Sequence, residues 1–441
     1  MNNTESHKRT VNYFLQIRTS FVVKVLAIAC SYVIVPIMLR ILGTEQYGIW
    51  STLLSIMSWI VLFDLGIGNG LKNKIAESIA KNEFANVKEY ISTAYIIIGI
   101  ISFLLFCVLF IISKYIAWQR VFNSTILNQE EIRRIITVTG FFFFLNFWLS
   151  LINQVVNGFQ KTSISVFNQF SSNLFFLILL IFFETIKSKS MLSLSYLYGV
   201  ALVTSSILIS IWFFRKNTHI IPSFNKFKKN KAFLIANIGM QFFVIQIAVV
   251  VLFTSSKILI TQLIGPEYVV QYDLLFKLFS IILFFQNIIM TPLWPAYTDA
   301  YHQSDFKWIR HTIKKQLIVF VLIVIATIIL ALLAPFAISI WISPDIEVNG
   351  KSIIAMSLFV VISSWNNVFA FFLNGVNQIK EQVFTSLFAI FFNFPLSIFL
   401  VKYFNLGVSG IIFSTSISLL FFSFVGPIKS YIFLRKANIN E

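Results

Sequence analysis

Charged residues are scarce in this chain of 441 residues, since Asp, Glu, Lys and Arg make up only 12% of it. A soluble globular domain has roughly a quarter of its residues charged. Hydrophobic residues make up 58% of the chain, with 51 Phe among them, an excess that suits a bilayer and not water. The scarcity of charge therefore excludes an ordinary soluble protein and indicates an integral membrane protein.

Cysteine, histidine and long polar loops are also scarce. The two Cys fall inside apolar segments, which argues against a structural disulfide. The four His have no metal-ligand spacing, so we predict neither a metal site nor a cofactor. The longest outer loop, 115–132, is too short for a catalytic domain, and no nucleophile–base arrangement stands out. We therefore predict a transporter and not an enzyme.

The apolar residues form long runs. A membrane-spanning helix needs about 20 of them, because each residue rises about 1.5 Å through about 30 Å of hydrocarbon. Runs such as FLLFCVLFII (103–112) lack the alternation of a barrel strand. We predict an all-α membrane protein with 12 transmembrane helices, near 20–42, 47–67, 91–114, 133–156, 165–184, 192–214, 233–258, 268–291, 316–342, 353–374, 383–402 and 406–433.

Basic residues set the predicted orientation. With the N-terminus in the cytoplasm, 22 Lys and Arg fall on cytoplasmic segments and nine on outer ones, in agreement with the positive-inside rule. Both termini are therefore predicted to be cytoplasmic. The net charge of +17 is spread over short loops beside the membrane, where anionic lipid headgroups account for it better than nucleic acid does.

The chain contains an internal repeat. A shift of 222 residues places LGTEQYGIWSTLLSIMSWIVLF (42–63) on IGPEYVVQYDLLFKLFSIILFF (264–285) without a gap, with Gly43 on Gly265 and Glu45 on Glu267. Later landmarks follow in the same order: VNGFQK (156–161) resembles LNGVNQ (373–378), and GVALVTSS (199–206) resembles GIIFSTSI (410–417).

The repeat predicts two lobes. Six helices is an even number, so both halves keep the same orientation, as in transporters built from parallel repeats. We predict an N-terminal lobe over 1–215, a basic cytoplasmic linker over 216–232, and a C-terminal lobe over 233–441, arranged around a central cavity. Such lobes typically rock to expose the cavity alternately to the two sides of the membrane.

A glycine-rich stretch, FDLGIGNGLKN (63–73), follows the second predicted span. A nucleotide-binding GxGxxG needs a preceding strand and a βα unit, and neither is predicted. Under the repeat, DLGIGNGL (64–71) falls on QNIIMTPL (286–293), so Gly66, Gly68 and Gly70 correspond to a proline-containing segment with Pro292. Glycine and proline both weaken a helix, and we interpret the stretch as a loosened helix end.

Ionisable residues inside the predicted spans are the first candidates for function, because each costs roughly 2.5–3.5 kcal/mol or more at the bilayer centre. Lys24 either lines a cavity or extends its ammonium group to the lipid headgroups. Asp64 either has a functional role or caps the loosened helix end. Lys257 and Arg40 either line a cavity or anchor the protein at the membrane interface. Asp273 and Lys277 are four residues apart, so they share one helix face and can neutralise each other.

The stretches RILGTEQYGIWSTLLSIMSWIVLFDLGIGNGLKNKIAE (40–77), LIGPEYVVQYDLLFKLF (263–279) and TPLWPAYTDAYHQSDFKWIR (291–310) resemble Wzx-type polysaccharide repeat-unit flippases. These belong to the multidrug/oligosaccharidyl-lipid/polysaccharide exporter superfamily. The resemblance covers essentially the whole chain, and LGxxxYGxW and PLWPAYxxA are its more specific motifs.

The resemblance implies translocation of an undecaprenyl-diphosphate-linked oligosaccharide, such as an O-antigen unit of lipopolysaccharide, from the inner to the outer leaflet of the bacterial inner membrane. It implies alternating access, H⁺ or Na⁺ as coupling ion, contact with membrane lipids, and polysaccharide polymerase or chain-length proteins as partners. The alternative is a multidrug or organic-cation exporter of the same superfamily.

Residue roles follow from these observations together. The predicted substrate-binding residues are Lys24, Lys277, Lys257, Arg40, Asn157 and Asn374, the two asparagines being repeat equivalents. The predicted coupling or gating residues are Asp64, Asp273, Gly66, Gly68, Gly70 and Pro292. The resemblance points to Lys24 and Lys277 in particular, with lysine where the family often has arginine, which alone offers a bidentate fork to a diphosphate.

Overall fold

The computed structural model describes residues 3–64, 66–185, 190–342, 348–378 and 380–439. These residues form α-helices joined by short turns, and no strand occurs among them. The helices are α1 Asn3–Ser58, α2 Ile67–Ala80, α3 Phe84–Ile112, α4 Trp118–Val121, α5 Gln129–Leu149, α6 Leu151–Gly158, α7 Thr162–Glu184, α8 Met191–Lys216, α9 Lys229–Leu263, α10 Val269–Met290, α11 Leu293–His302, α12 Phe306–Trp341, α13 Gly350–Gly375, α14 Lys380–Lys402 and α15 Gly407–Ile439.

The predicted all-α membrane fold is confirmed, whereas the count of twelve spans stays a prediction. Ten described helical segments are long and apolar enough to cross a membrane. One of them, Arg18–Asp64, contains the first two predicted spans. The predicted span 233–258 lies in α9, which is not among the ten.

The first two predicted spans meet at Gly43. This residue has φ 72° and ψ −179° inside α1, a conformation that glycine adopts without the steric penalty of a Cβ. In the second half, Gly265 has φ 149° and lies between α9 and α10 at the corresponding repeat position. The repeated glycine therefore marks the boundary between two helices in both halves.

The described structure divides into two compact units, Met1–Ile247 and Ala248–Glu441. The division into lobes over 1–215 and 233–441 with a linker over 216–232 stays a prediction. That segment packs on α3, where the backbone N–H of Ser223 donates to Ser92 Oγ at 3.0 Å and that of Lys228 donates to Thr93 Oγ1 at 3.1 Å. Because the linker is hydrogen-bonded to α3, it belongs to the first unit.

Each unit has its own apolar core. In the first unit, buried residues of α2, α3, α6 and α8 form one cluster around Ile75, Ile91 and Val155. In the second, buried residues of α11, α12, α13 and α15, together with Met290 at the end of α10, form another around Tyr297, Ile309 and Phe372. The helices that build these cores lie in the same chain order in both halves, as the repeat predicts.

Two close backbone contacts reproduce the repeat inside the units. A Cβ on Gly158 would lie 2.8 Å from Ile75 Cβ and 3.0 Å from the carbonyl oxygen of Lys72. A Cβ on Gly375 would lie 2.6 Å from Tyr297 Cβ and 3.0 Å from the carbonyl oxygen of Trp294. Lys72 and Ile75 become Trp294 and Tyr297 under the shift of 222 residues, so each glycine admits the equivalent short helix, α2 or α11.

A buried polar contact also recurs, and it corrects the register of the last landmark. Ser205 Oγ of α8 donates to the carbonyl oxygen of Asn168 at 2.9 Å, and Ser414 Oγ of α15 donates to that of Asn393 at 2.8 Å. These contacts place Ser205 on Ser414, two residues away from the sequence alignment of 199–206 with 410–417. The segments are rich in small residues, so several registers give similar matches.

Helix starts repeat as well. Asn128 caps α5 by accepting a hydrogen bond from the Glu131 backbone N–H at 2.9 Å, and Asn349 caps α13 by accepting one from that of Lys351 at 2.9 Å. An Asn side chain at this position satisfies a backbone donor that the helix itself leaves unpaired. The two caps occupy matching places in the two halves.

Candidate functional site

The second unit brings three of the predicted site residues together. Lys257 of α9 lies with its Nζ 2.6 Å from Asp273 Oδ1 of α10. The Asp273 side chain is buried, and that of Lys257 is 19% exposed. Lys277 lies one turn further along α10, half-buried, where the charges of Asp273 and Lys257 act on it. We call Lys257, Asp273 and Lys277 the charge cluster.

The described partner of Asp273 lies on a neighbouring helix. The ion pair that the geometry defines joins Asp273 to Lys257 across two helices. Neutralisation of Asp273 by Lys277, which their spacing along α10 suggests, stays a prediction. With one carboxylate and two ammonium groups, the cluster carries a net positive charge when all three are ionised. Its groups lie where the dielectric constant is low, which strengthens every charge interaction compared with water.

Lys24 in the first unit has a neutral partner. Its Nζ donates to Gln169 Oε1 of α7 at 2.7 Å, and the lysine side chain is half-buried. One turn further along α1, the Ala27 carbonyl oxygen accepts from Asn173 Nδ2 of the same helix α7 at 3.0 Å. Lys24 therefore lies in a polar contact between α1 and α7, with its charge uncompensated by this partner.

Arg40 lies in an exposed ion pair. Its Nε is 3.3 Å from Glu184 Oε1 at the end of α7, and the Arg40 side chain is 65% exposed. Nearby in sequence, the Glu45 carboxylate accepts hydrogen bonds from the Thr125 and Ile126 backbone N–H groups at 2.8 and 3.1 Å. These contacts fit the anchoring alternative for Arg40 and identify Glu45 as the residue that holds the 124–126 loop.

Asp64 caps the helix that follows it. A 3₁₀ turn over Trp59–Asp64 ends there, and α2 begins at Ile67 after Gly66, which has φ 76°. The Asp64 carboxylate accepts from the Gly66 backbone N–H through Oδ1 and from that of Gly68 through Oδ2, the latter at 3.1 Å. A carboxylate at this position also interacts favourably with the helix dipole.

The three glycines have three different environments. Gly66 supplies the left-handed turn. A Cβ on Gly68 would lie 2.8 Å from Asp64 Oδ2 and 3.1 Å from Gln154 Cγ, so glycine makes room for the carboxylate. A Cβ on Gly70 would lie 2.1 Å from the Ile235 carbonyl oxygen. Gly70 therefore permits close packing of α2 on α9.

The repeat equivalent of this stretch is also a helix break. In the second unit α10 ends at Met290, and α11 begins at Leu293 after a turn that contains Pro292. Proline has no backbone N–H to continue the helical hydrogen bonds. The predicted weakening is thus observed in both halves, whereas gating by these residues remains a prediction.

Asn157 and Asn374 sit beside the packing glycines. Asn157 Oδ1 accepts from Ser165 Oγ at 3.0 Å, which links α6 to α7. Asn374 Oδ1 is buried and has no hydrogen-bond partner among the described residues. A buried polar atom without a partner is costly, so Asn374 is the asparagine with a free acceptor.

Two polar residues at these sites, Gln154 and Gln169, have no signal in the sequence. Gln169 and Gln154 come into contact with Lys24 and Gly68 only through folding. Gln286, the repeat equivalent of Asp64, is buried, and it donates to the Ser364 carbonyl oxygen at 2.8 Å and accepts from Asn367 Nδ2 at 3.0 Å. Gln286 thus joins α10 to α13 inside the second unit.

Across the described ranges, no three His, Cys, Asp or Glu side chains are grouped to hold a metal ion.

Comparison with solved structures defines the fold. The chain aligns with an inward-facing multidrug-resistance transporter of the MATE family and MOP superfamily at a TM-score of 0.79, covering 94% of this chain and 95% of that one at 15% identity. This likeness shows that the chain has the same fold as that structure.

Sequence comparison then defines the family. Residues 17–301 match the family described as "Polysaccharide biosynthesis protein", and the chain belongs to that family. It is 23% identical to a Yersinia pseudotuberculosis protein named for O-antigen export, over 81% of this chain and 82% of that protein. It is 24% identical to a Salmonella typhimurium protein named for O-antigen transport, over 82% and 83% of the two chains.

Proposed function

We propose that the protein is a flippase for undecaprenyl-diphosphate-linked oligosaccharide units, such as O-antigen units, and moves them from the inner to the outer leaflet by alternating access. Membership of the polysaccharide biosynthesis family and the relatives named for O-antigen export and transport support this substrate class. The MATE-type fold supports transport and not catalysis. We place the protein in the bacterial inner membrane with both termini in the cytoplasm, as the distribution of basic residues predicts.

The observation that carries the proposal is the charge cluster of the second unit. A diphosphate cannot cross hydrocarbon without partners that replace its water. Two ammonium groups beside one carboxylate leave a surplus positive charge for an anion. Hydrogen bonds between ionised groups are about twice as strong as neutral ones, and they offset part of the lost hydration. We propose that Lys277 and Lys257 bind the diphosphate.

Lys24 and Asn374 fit supporting roles. The Lys24 side chain donates to a neutral amide, so this hydrogen bond brings no opposite charge to it. Asn374 offers a buried acceptor that has no partner among the described residues, which suits a sugar hydroxyl. The contacts of Arg40 and Asn157 are with the protein itself, with Glu184 and Ser165 respectively, so we give these two residues a weaker part in the proposal.

Coupling to H⁺ or Na⁺ has a natural candidate in Asp273. Protonation of its carboxylate would remove the charge that holds Lys257, and the lysine would then be available to an anion. The Asp64 carboxylate, in contrast, accepts two backbone N–H groups, so its charge is used to begin α2. We therefore propose Asp273 as the coupling residue and the breaks at Gly66 and Pro292 as gating elements.

Deletion in the native bacterium tests the function. Without the protein, lipid-linked oligosaccharide should accumulate on the inner leaflet and surface polysaccharide should disappear, while susceptibility to cationic drugs stays unchanged. Extraction and labelling of the lipid-linked units from each leaflet measures this. Altered drug susceptibility with normal surface polysaccharide would instead establish the organic-cation exporter, and polymerase activity of the purified protein would contradict both transport functions.

A further inference from the structure

The segment between the two predicted lobes lies across one end of α3. Ile220 is fully buried in the core of the first unit. The His219 and Phe84 rings meet edge to face with centroids 5.4 Å apart, and Ser92 and Thr93 of α3 accept the backbone N–H groups of Ser223 and Lys228. These contacts fix the segment 217–228 on α3.

A groove begins where this segment crosses α3. It has a volume of about 860 Å³ and runs between α3 and α5, with the 222–224 turn at one end. That volume falls within the roughly 300–1,000 Å³ of sites for one small ligand. Two of its lining residues approach each other closely, since a Cβ on Gly99 would lie 3.0 Å from Trp148 Nε1.

The walls of the groove are apolar and open to the outside of the unit. Phe103, Leu104 and Phe141 line it and are 68%, 55% and 46% exposed. Two polar groups of the lining donate hydrogen bonds to backbone carbonyl oxygens of the protein itself. Trp148 Nε1 donates to the carbonyl oxygen of Tyr95 at 2.9 Å, and Ser102 Oγ donates to the carbonyl oxygen of Phe144. Both flanking helices are apolar enough to span a membrane, so the groove suits a hydrocarbon chain.

The end of the groove is strongly basic. The stretch 214–233 has six Lys and Arg and no acid. Phe224 lines the groove and is 85% exposed. The next five residues include three exposed lysines, Lys226, Lys228 and Lys229. Lys231, by contrast, is bound to Asn86 Oδ1 at 2.6 Å and lies 3.7 Å from Glu89. Three exposed ammonium groups therefore lie beside one end of an apolar groove.

We propose that this site binds an anionic glycerophospholipid, with one acyl chain in the α3–α5 groove and the phosphate headgroup on Lys226, Lys228 and Lys229. Basic segments beside a membrane attract anionic headgroups by about 1 kcal/mol per Lys or Arg. The apolar groove adds burial of the chain, which a merely charged surface would lack.

A resident phospholipid fits this site better than the transported lipid. The groove and the three lysines belong to one compact unit, and the segment that carries the lysines is hydrogen-bonded to α3. A flipped substrate must release its diphosphate to the opposite leaflet, whereas these ammonium groups stay at one face of the membrane. This step rests on the proposed function, but the lipid site itself does not.

Native mass spectrometry of the full-length protein, purified and incubated with phosphatidylglycerol or phosphatidylcholine, tests the proposal. The variant Lys226→Gln/Lys228→Gln/Lys229→Gln should retain several-fold less phosphatidylglycerol than the wild type. The matched control is Lys307→Gln/Lys314→Gln/Lys315→Gln at the start of α12, the repeat equivalent of α3, where three exposed lysines occur. This control should retain phosphatidylglycerol as the wild type does.

A second variant tests the groove without altering charge. Leu104→Trp fills an exposed position of the wall and should lower lipid retention, whereas Ile178→Trp on the exposed surface of α7 should not. Equal retention of phosphatidylcholine by the wild type, or equal losses in the two lysine variants, would overturn the headgroup site. Retention of an isoprenoid lipid in place of phosphatidylglycerol would assign the groove to the substrate. Because none of these measurements requires transport, their failure would leave the proposed function standing.

Discussion

The two units share a scaffold and differ in their charges. Gly158 and Gly375 admit the equivalent short helices, and Asn168 and Asn393 accept equivalent serine hydroxyls. The charged residues show no such equivalence, because the second unit has the ion pair Lys257–Asp273 beside Lys277, while the first has Lys24 on a neutral amide. The two halves thus share packing positions and the buried serine–asparagine contact, whereas their charged positions differ.

The helix breaks show the same division. In both halves a helix break follows the helix that begins after the repeated glycine. The break in the first half contains Gly66 and is capped by Asp64, and the break in the second half is a turn that contains Pro292. In the first half, the Asp64 carboxylate accepts hydrogen bonds from backbone N–H groups. Its repeat equivalent in the second half, Gln286, joins α10 to α13. In the second half the acid lies elsewhere, on Asp273, where it faces a lysine.

The largest effect on stability is expected from Asp273. Asp273→Asn leaves Lys257 without its carboxylate, and breaking a buried ion pair typically costs about 3–5 kcal/mol. Lys24→Met removes one hydrogen bond to an exposed amide and should cost about 1 kcal/mol. Thermal unfolding in detergent measures both variants. If the two variants lost similar amounts of stability, the difference in charge interactions between the two units would be contradicted.

The packing glycines should respond alike in the two units. Gly158→Ala and Gly375→Ala place a methyl group within 3 Å of fixed neighbours, and overpacking of this kind costs about 1–3 kcal/mol. Gly350→Ala is the control, since its Cβ would have no atom within 4 Å. Melting temperatures that fall for only one of the two packing variants would argue against a shared scaffold.

Asp64 should affect the start of α2. Asp64→Ala removes the acceptor for the Gly66 and Gly68 backbone N–H groups, and loss of a helix cap costs about 0.5–2 kcal/mol. Hydrogen exchange of the first turn of α2 should rise, while that of α11 stays unchanged. Exchange that rises equally in both helices would show that Asp64 supports the whole protein and not this one helix.

The smallest effect is expected from the repeated serines. Ser205→Ala and Ser414→Ala each remove a hydrogen bond to a carbonyl oxygen. Such bonds between membrane helices average about 0.6 kcal/mol. The two variants should be destabilised by the same small amount. A markedly larger loss in one unit would mean that only one of the two bonds is structurally important.

Sequence alone predicted the scaffold well and the contacts poorly. Long apolar runs and the glycine pair Gly43 and Gly265 are local signals, and the boundary between the first two predicted spans lies where they place it. The repeated Asn-Gly pairs gave the register of the repeat, and the structure adds the packing contacts of their glycines. Partners across helices have no such signal. Spacing drew attention to Asp273 and Lys277 on one helix, but it gave no sign that Lys257 of α9 pairs with Asp273 of α10.

Two segments have contacts that their composition does not reveal. The basic stretch 216–232 has the composition of a linker, but side chains of α3 accept its backbone N–H groups. Gly70 belongs to a flexible-looking sequence, but the Ile235 carbonyl oxygen lies where its Cβ would be. In both cases the deciding contact is with a residue far away in the chain, which neither periodicity nor spacing reveals.

Transport by Lys277 variants tests the central claim most directly. In proteoliposomes with a lipid-linked oligosaccharide, Lys277→Ala should abolish translocation and Lys277→Arg should retain it, because arginine keeps the positive charge. Lys351→Ala, at an exposed position of the same unit, should leave translocation unchanged, and the thermal midpoints should show that all variants are folded. Undiminished translocation by folded Lys277→Ala would contradict the account.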